Sequence, residues 1–446
     1  MPAKKVVLIV VDGMTPAAFE RAADGRAPAL AFLAAHGDYR RGTSVFPSLT
    51  PVCLSSIATG AGPGAHHIPH LVWWHRGERR IVEYGSSFSA LRAAGIAQSI
   101  TDTIYNMNSA HLSARATTVY EALEDAGLVA AAVNITCYRG RTRHLPTIPW
   151  VTKAAYGPKR FFYYGLFESD ATGAPMAVRN RAGGSTDVYA AAVGRWLVTR
   201  DGFDFLAYYL SDFDYVSHAH GPDLAEDIAL ARTDAAVQAI IDAAGGGDAF
   251  LERYAVVLAS DHGQTHVERG ARLETPLAPF ADEIVVTASN RAGQVYLLSR
   301  ARADTAELAA RLDDEPSVEV TLRLEDDEAV ARREREELRF RPGPDGWQTS
   351  GDVSILDHPD ALARSWSALE NPNAGDLLVS AAEGWEFADL GGRHHAGGGS
   401  HGSLVARDSE VPLLTIGVAG DIGRITEITP AVRAHFGAGV VTADAV

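Results

Sequence analysis

The sequence predicts an α/β protein with a doubly wound, mostly parallel sheet flanked by helices. Five apolar runs, at residues 6–11, 128–135, 205–210, 254–260 and 411–418, are continuously hydrophobic rather than alternating. Strands covered on both faces read this way. Helical patterns fall between them, at 117–126, 187–198, 223–244 and 429–435, and strands alternating with helices imply parallel pairing. The length, 446 residues, admits one large domain of this kind with insertions.

Taken in order, the chain opens with two lysines and an apolar run that ends at Asp12-Gly13. The run is too short to span a bilayer and reads as a buried first strand. Residues 50–59 read as a helix, with Thr50 at its N-cap, Pro51 next and Gly60 past its end. Residues 61–115 and 138–182 are rich in Gly, Pro, aromatics and Arg and read as excursions that shape a pocket. Residues 280–345 break the rhythm with short strands at 284–287, 294–298, 318–322 and 338–340 and a helix at 305–312. The charge run 325–337 reads as a solvated helix face. The expected organisation is a core of residues 1–279 and 375–446 with a small α+β insertion over 280–374.

Lys and Arg number 40 against 56 Asp and Glu, a formal charge of −16. That balance argues against a protein that coats duplex nucleic acid or clings to anionic lipid. Two cysteines, Cys53 and Cys137, cannot build a disulfide framework. With no long apolar run, no membrane partner is expected and cytoplasmic residence is the default. The sequon at Asn134 reads as chance.

The chemistry lies at strand ends. The first strand ends in Asp12, the third run in Asp212-Phe-Asp214 followed by His218, the fourth in Asp261-His262, and a glycine run precedes His401. Ligands of open α/β sheets gather at the carboxyl ends of strands. Clustered carboxylates repel one another unless a cation offsets them. Asp214 and His218, spaced i,i+4, share one helical face and can grip one ion, and the glycines before His401 let the backbone approach a site closely. Asp12, Asp261 and His262 form a second set. Nitrogen and oxygen donors without thiolate suit two divalent ions, Zn²⁺ first and Mn²⁺ as the alternative. Thr50 is the candidate nucleophile, because a hydroxyl at a helix N-terminus meets positive dipole and free N–H groups.

These motifs resemble the alkaline phosphatase superfamily, and within it the nucleotide pyrophosphatase/phosphodiesterase branch. The resemblance rests on Val-Val-Asp12-Gly13, Thr50 nine residues before Thr59-Gly60, Asp214-x-x-x-His218-x-x-Gly221-Pro222, Ser260-Asp261-His262-Gly263 and Ser400-His401-Gly402. It covers roughly residues 5–70, 203–266 and 375–418. It implies an alkaline-phosphatase-like fold, two Zn²⁺ ions held by Asp12, Asp261, His262 and by Asp214, His218, His401, and attack by Thr50 to give a phospho-threonine intermediate. The chain departs from the pattern after the nucleophile, where Pro51-Val52-Cys53 replaces Phe-Pro-Asn. It departs again where the family carries a phosphoryl-binding Asn and this chain has His70-Leu71.

For substrate contact, Arg139, Arg141 and Arg143 are expected on the carboxyl-end face, holding a second anionic group. Trp73, Trp74 and Tyr84 are candidates to stack on a planar group, and His70 stands where the amide donor would be. The expected activity is a phosphodiesterase or nucleotide pyrophosphatase on a small nucleotide-like substrate. A phosphomonoesterase or phosphonate hydrolase of the same superfamily is the alternative, and a phosphoryl transferase or mutase a weaker one.

Overall fold

The computed structural model describes residues 3–148, 153–169 and 185–438; parts of the expected 138–182 excursion and of the C-terminal stretch of the core therefore lie outside the described residues. Its largest sheet has eight strands. In spatial order they are Asp38–Thr43, Glu410–Ile416, Tyr254–Ala259, Lys5–Val11, Phe205–Leu210, Ala130–Val133, Arg160–Tyr163 and Phe167–Ser169. The central pairings, from Tyr254–Ala259 across to Arg160–Tyr163, are parallel, and the outer ones are antiparallel. The strand at 411–418, grouped by its apolar run with the parallel strands, is thus the first of an antiparallel edge.

The first strand shows why its sequence does not alternate. Val6, Leu8 and Val10 enter one core and Val7, Ile9 and Val11 the other, so both faces are sealed. Each such side chain contributes about 1.5–3 kcal/mol on burial. Helices Thr186–Thr199 and Leu230–Ala243 help cover one face, and helices Thr50–Thr59, Val119–Asp125 and Ile428–His435 lie over the other. The expected helix 223–244 is two helices, Pro222–Ile228 and Leu230–Ala243.

A second, seven-stranded antiparallel sheet forms the small lobe, in the order Ile284–Ser289, Ala292–Leu297, Leu377–Ala381, Val318–Glu325, Glu328–Arg333, Glu336–Gly343 and Gly346–Gly351. Its third strand comes from beyond residue 374, where the core was expected to resume. The expected helix at 325–337 does not form. That segment is a meander whose reversals place Asp326, Glu334 and Arg335 at positive φ. Its charges pair on the sheet instead of along a helix: Arg323 meets Glu325 of its own strand at 2.7 Å and Glu337, two strands over, at 2.9 Å. Ala329, Val330 and Ala331 are buried. Among the described residues no helix is long and apolar enough to cross a membrane.

Candidate active site

Three connections at the carboxyl ends of central strands converge with a fourth that leaves the short strand Gly399–Ser400. Asp12 leaves the first strand with its amide donating to the carbonyl of Leu210 at 2.9 Å. Gly13 follows at φ +68°, and a Cβ there would stand 2.6 Å from Gln264 Nε2 and 2.9 Å from Asp214 Oδ1. Only glycine lets the chain pass so close to the site. Helix Asp212–His220 starts directly after strand Phe205–Leu210 and presents Asp214 and His218 on one face, Oδ2 to Nε2 3.3 Å. Asp261 and His262 follow strand Tyr254–Ala259, and His401 follows the short strand Gly399–Ser400.

All three histidines are oriented alike. The Nδ1–H of His218 donates to the Gly399 carbonyl at 2.8 Å, that of His262 to the Gly263 carbonyl at 3.0 Å, and that of His401 to the Ser48 carbonyl at 2.7 Å. A carbonyl can only accept, so each Nε2 is left facing the site. This is how ligating histidines are held. The Nε2 of His262 lies 3.2 Å from Asp12 Oδ1, 3.6 Å from Asp261 Oδ2 and 3.2 Å from Thr50 Oγ1. Both of those carboxylate oxygens are buried without a hydrogen-bond partner.

Burial and like charge act together on the carboxylates of this site. Burial, then the nearby charge of Asp214, lifts the Asp12 carboxyl above its usual range; burial and Asp12 push Asp261 well above it. Burial opposes protonation of His218 and His262, yet the carboxylates override it and raise them to about 9 and about 10. Two buried carboxylates, the half-buried Asp214, two orphaned oxygens and three inward Nε2 atoms fit divalent ions. Two donor groups have ligand atoms within 4.8 Å of one another: Asp214, His218, His401 and Asp12, Asp214, His262. Asp214 belongs to both, and Asp261, expected in the second, flanks it at His262.

Thr50 differs from expectation in one respect. It is not the cap of its helix; Leu49 is, so the Thr50 hydroxyl is not spent on capping. Asp212 is also spent elsewhere, accepting from Ser185 Oγ and from Thr186 N at 3.1 Å. Two supporting residues carried no sequence signal. Tyr209, within an apolar strand, donates its hydroxyl to Asp12 Oδ2, and Gln264 donates its amide to Asp214 Oδ1.

Asp12, Asp214, His218, His401 and Thr50 border a cavity of about 740 Å³ that Leu71, Tyr84, Thr136, Tyr164 and Tyr215 also line. The other expected substrate contacts do not line it. Arg139 is held by Glu121 at 3.1 Å and by the carbonyls of Leu112, Ser113 and Ala116. Arg141 pairs with Glu121 and Asp125, both at 2.9 Å. Arg143 projects as an exposed residue of the short strand Thr142–His144. Trp73 is buried, its ring stacked 5.3 Å from that of His75, and Trp74 is half-buried in the same hairpin. His70 is buried with Nδ1 accepting from the Val72 amide, and burial lowers it to about 4. Thr136 still borders the metal-side cavity, but Glu121, anchored by the Thr118 capping box, holds both arginines beside the nucleophile helix's far end. Arg139→Ala is accordingly expected to destabilise the fold by about 3 kcal/mol, since it leaves a buried carboxylate short of a partner. Hydrolytic kcat/KM should change less than threefold, measured beside urea unfolding. A selective rise in KM at unchanged stability would return Arg139 to the substrate.

Residues 6–404 match the family described as type I phosphodiesterase / nucleotide pyrophosphatase. No curated protein sequence matches the chain. Among solved structures, phosphonoacetate hydrolase from Sinorhizobium meliloti 1021, in complex with phosphonoformate, is 19% identical with a TM-score of 0.63, covering 97% of this chain and 96% of that one. Murine ectonucleotide pyrophosphatase/phosphodiesterase 5 is 13% identical with a TM-score of 0.63, covering 98% and 96%. The human protein of that name is 14% identical with a TM-score of 0.59, covering 97% and 95%.

Proposed function

The chain belongs to the type I phosphodiesterase / nucleotide pyrophosphatase family, a phosphohydrolase branch of the alkaline phosphatase superfamily, and from that premise we propose a phosphodiesterase or nucleotide pyrophosphatase that works through Thr50. The observation that carries the reading is the convergence of three inward Nε2 atoms, two buried carboxylates and the half-buried Asp214 beside the Thr50 hydroxyl. Two divalent cations, Zn²⁺ or Mn²⁺, held by Asp214, His218, His401 and by Asp12, Asp261, His262, would offset those carboxylates and lower the pKa of the hydroxyl and of a water.

The chain's own residues supply the rest. Thr50 stands in the first turn of a ten-residue helix, where the dipole favours an alkoxide and a phosphoryl group alike. Its Oγ1 attacks phosphorus in line, the bond to the leaving oxygen breaks, and that oxygen departs with a proton. The resulting phospho-Thr50 is cleaved by water, which regenerates the hydroxyl. Tyr209 holds Asp12 and Gln264 holds Asp214, so neither carboxylate swings during turnover.

The cavity supports a diester over a substrate with a second anionic group. Its described lining offers Tyr84, Tyr164 and Tyr215 for a ring or an apolar edge and Thr136, Ser185 and Thr186 for hydroxyls, and no Lys or Arg among the described residues. Among the described lining residues, a phosphonate carrying a carboxylate, or a dianionic monoester, meets no Lys or Arg. The test is kinetics on bis-p-nitrophenyl phosphate, p-nitrophenyl thymidine monophosphate, p-nitrophenyl phosphate and phosphonoacetate with added Zn²⁺ or Mn²⁺. A diester should lead in kcat/KM. A monoester or phosphonate ahead of every diester by tenfold, about 1.4 kcal/mol of transition-state preference, overturns the assignment.

A further inference from the structure

The small lobe reaches the catalytic cavity at one point. Strands Ile284–Ser289 and Ala292–Leu297 pair with Ser289 opposite Ala292, leaving a two-residue turn, Asn290-Arg291. Asn290 takes φ +57°, a left-handed conformation that Asn tolerates better than most residues. Its side chain is buried and borders the cavity beside Thr50, Asp214 and His401.

The turn is clamped from behind. The Arg291 amide donates to the His401 carbonyl at 2.9 Å, and the Phe387 amide donates to the Asn290 carbonyl at 2.8 Å. The fully buried Arg291 guanidinium donates to Asp408 at 2.8 Å and to the Trp385 carbonyl at 2.7 Å. The Asn290 amide is itself oriented, because its Oδ1 accepts from Ser289 Oγ at 2.9 Å. Its NH₂ group therefore faces the site, with Nδ2 3.1 Å from His401 Nε2. His401 donates through Nδ1 to Ser48, so Nε2 is the acceptor in that contact. It is also the atom His401 would give to a cation. Once that lone pair is taken, a buried, fixed amide is left with N–H donors and no acceptor except whatever enters the cavity.

We propose that Asn290, carried into the catalytic cavity by the turn of the inserted hairpin, donates its amide to a non-bridging oxygen of the substrate phosphoryl group, so that the small lobe completes the active site. The proposal rests on the phosphohydrolase reading above. It gives the lobe a task beyond packing, and it supplies the amide donor that neither His70, buried away from the cavity, nor the apolar Leu71, which lines it, provides.

The experiment compares the metal-loaded wild-type protein with Asn290→Gly, which keeps the positive φ and removes the amide. Calorimetry with inorganic phosphate is expected to show at least tenfold weaker binding. On bis-p-nitrophenyl phosphate the loss in kcat/KM should be about 10²-fold or more, the usual effect of deleting one oxyanion donor. Metal content by elemental analysis and the melting temperature should match the wild type. Phosphate binding and kcat/KM within twofold of wild type overturn the proposal, and so does a fall in metal content that accounts for the whole loss. If the glycine variant does not fold, Asn290→Asp, which keeps shape and turn preference but has no N–H, is read in the same way. If the wild-type protein hydrolyses no phosphoester, the functional reading fails, while the phosphate titration still decides whether Asn290 binds the anion.

Discussion

Thr50→Ala is expected to lower kcat by at least about 10⁴-fold while leaving the fold intact. Loss of a catalytic nucleophile in enzymes that form a covalent intermediate has effects of this order. The structural cost should be small. Leu49, not Thr50, occupies the cap position, so the roughly 1 kcal/mol that a lost cap costs does not apply. The neighbours Pro51, Val52 and Cys53 remain buried as before. Thr50→Ser should keep measurable turnover, because it keeps the hydroxyl and loses only a methyl group. Acid-quenched wild-type protein should carry phosphate on Thr50 by mass spectrometry, and the alanine variant none. Turnover by Thr50→Ala within tenfold of wild type would mean that water attacks phosphorus directly and that the threonine only shapes the pocket.

What could be read from sequence, and what could not, divides along physical lines. The first strand was legible because both of its faces are buried, which forces every position to be apolar. The metal-type residues were legible because Asp12, Asp214, His218, Asp261, His262 and His401 follow strands or glycines at fixed offsets, and the sheet then has to deliver them to one edge. The segment 325–337 was not legible. Its turns use Asp326, Glu334 and Arg335 rather than Gly at positive φ, so the punctuation that marks a hairpin is missing. The arginine cluster misled for a different reason. Three Arg in five residues read as an unpaired patch, but two of their partners, Glu121 and Asp125, lie 16 to 20 residues upstream on a helix. Tyr209 and Asn290 gave no signal, since a tyrosine in an apolar strand and an asparagine in a turn are ordinary. Only the three-dimensional packing shows that one holds Asp12 and the other faces His401.

Removing the metal is expected to abolish hydrolysis, and Asp261→Asn separates a metal site from a structural carboxylate cluster. Chelation with EDTA should take activity to background, with recovery on adding Zn²⁺ or Mn²⁺; full activity after exhaustive chelation would sink the metal reading. Asp261 is fully buried, and its Oδ2 has no hydrogen-bond partner. Burial and the charge of Asp12 both disfavour its ionised form. In the metal-free protein this carboxylate is therefore a net cost, and Asp261→Asn should stabilise that form by about 1 kcal/mol. In the metal-loaded protein the sign reverses. A cation bound at a free concentration near 1,000 times its Kd stabilises the native state by about 4 kcal/mol, and the asparagine variant should lose much of that. Its activity should fall by more than the roughly 100-fold that loss of an outer hydrogen-bond partner costs. Thermal unfolding of both proteins, with EDTA and with Zn²⁺, reads the crossover directly. If Asp261→Asn is less stable than wild type in both conditions, the carboxylate serves the fold through the Gly13 and His262 amides that its Oδ1 accepts, and its place among the metal ligands is lost.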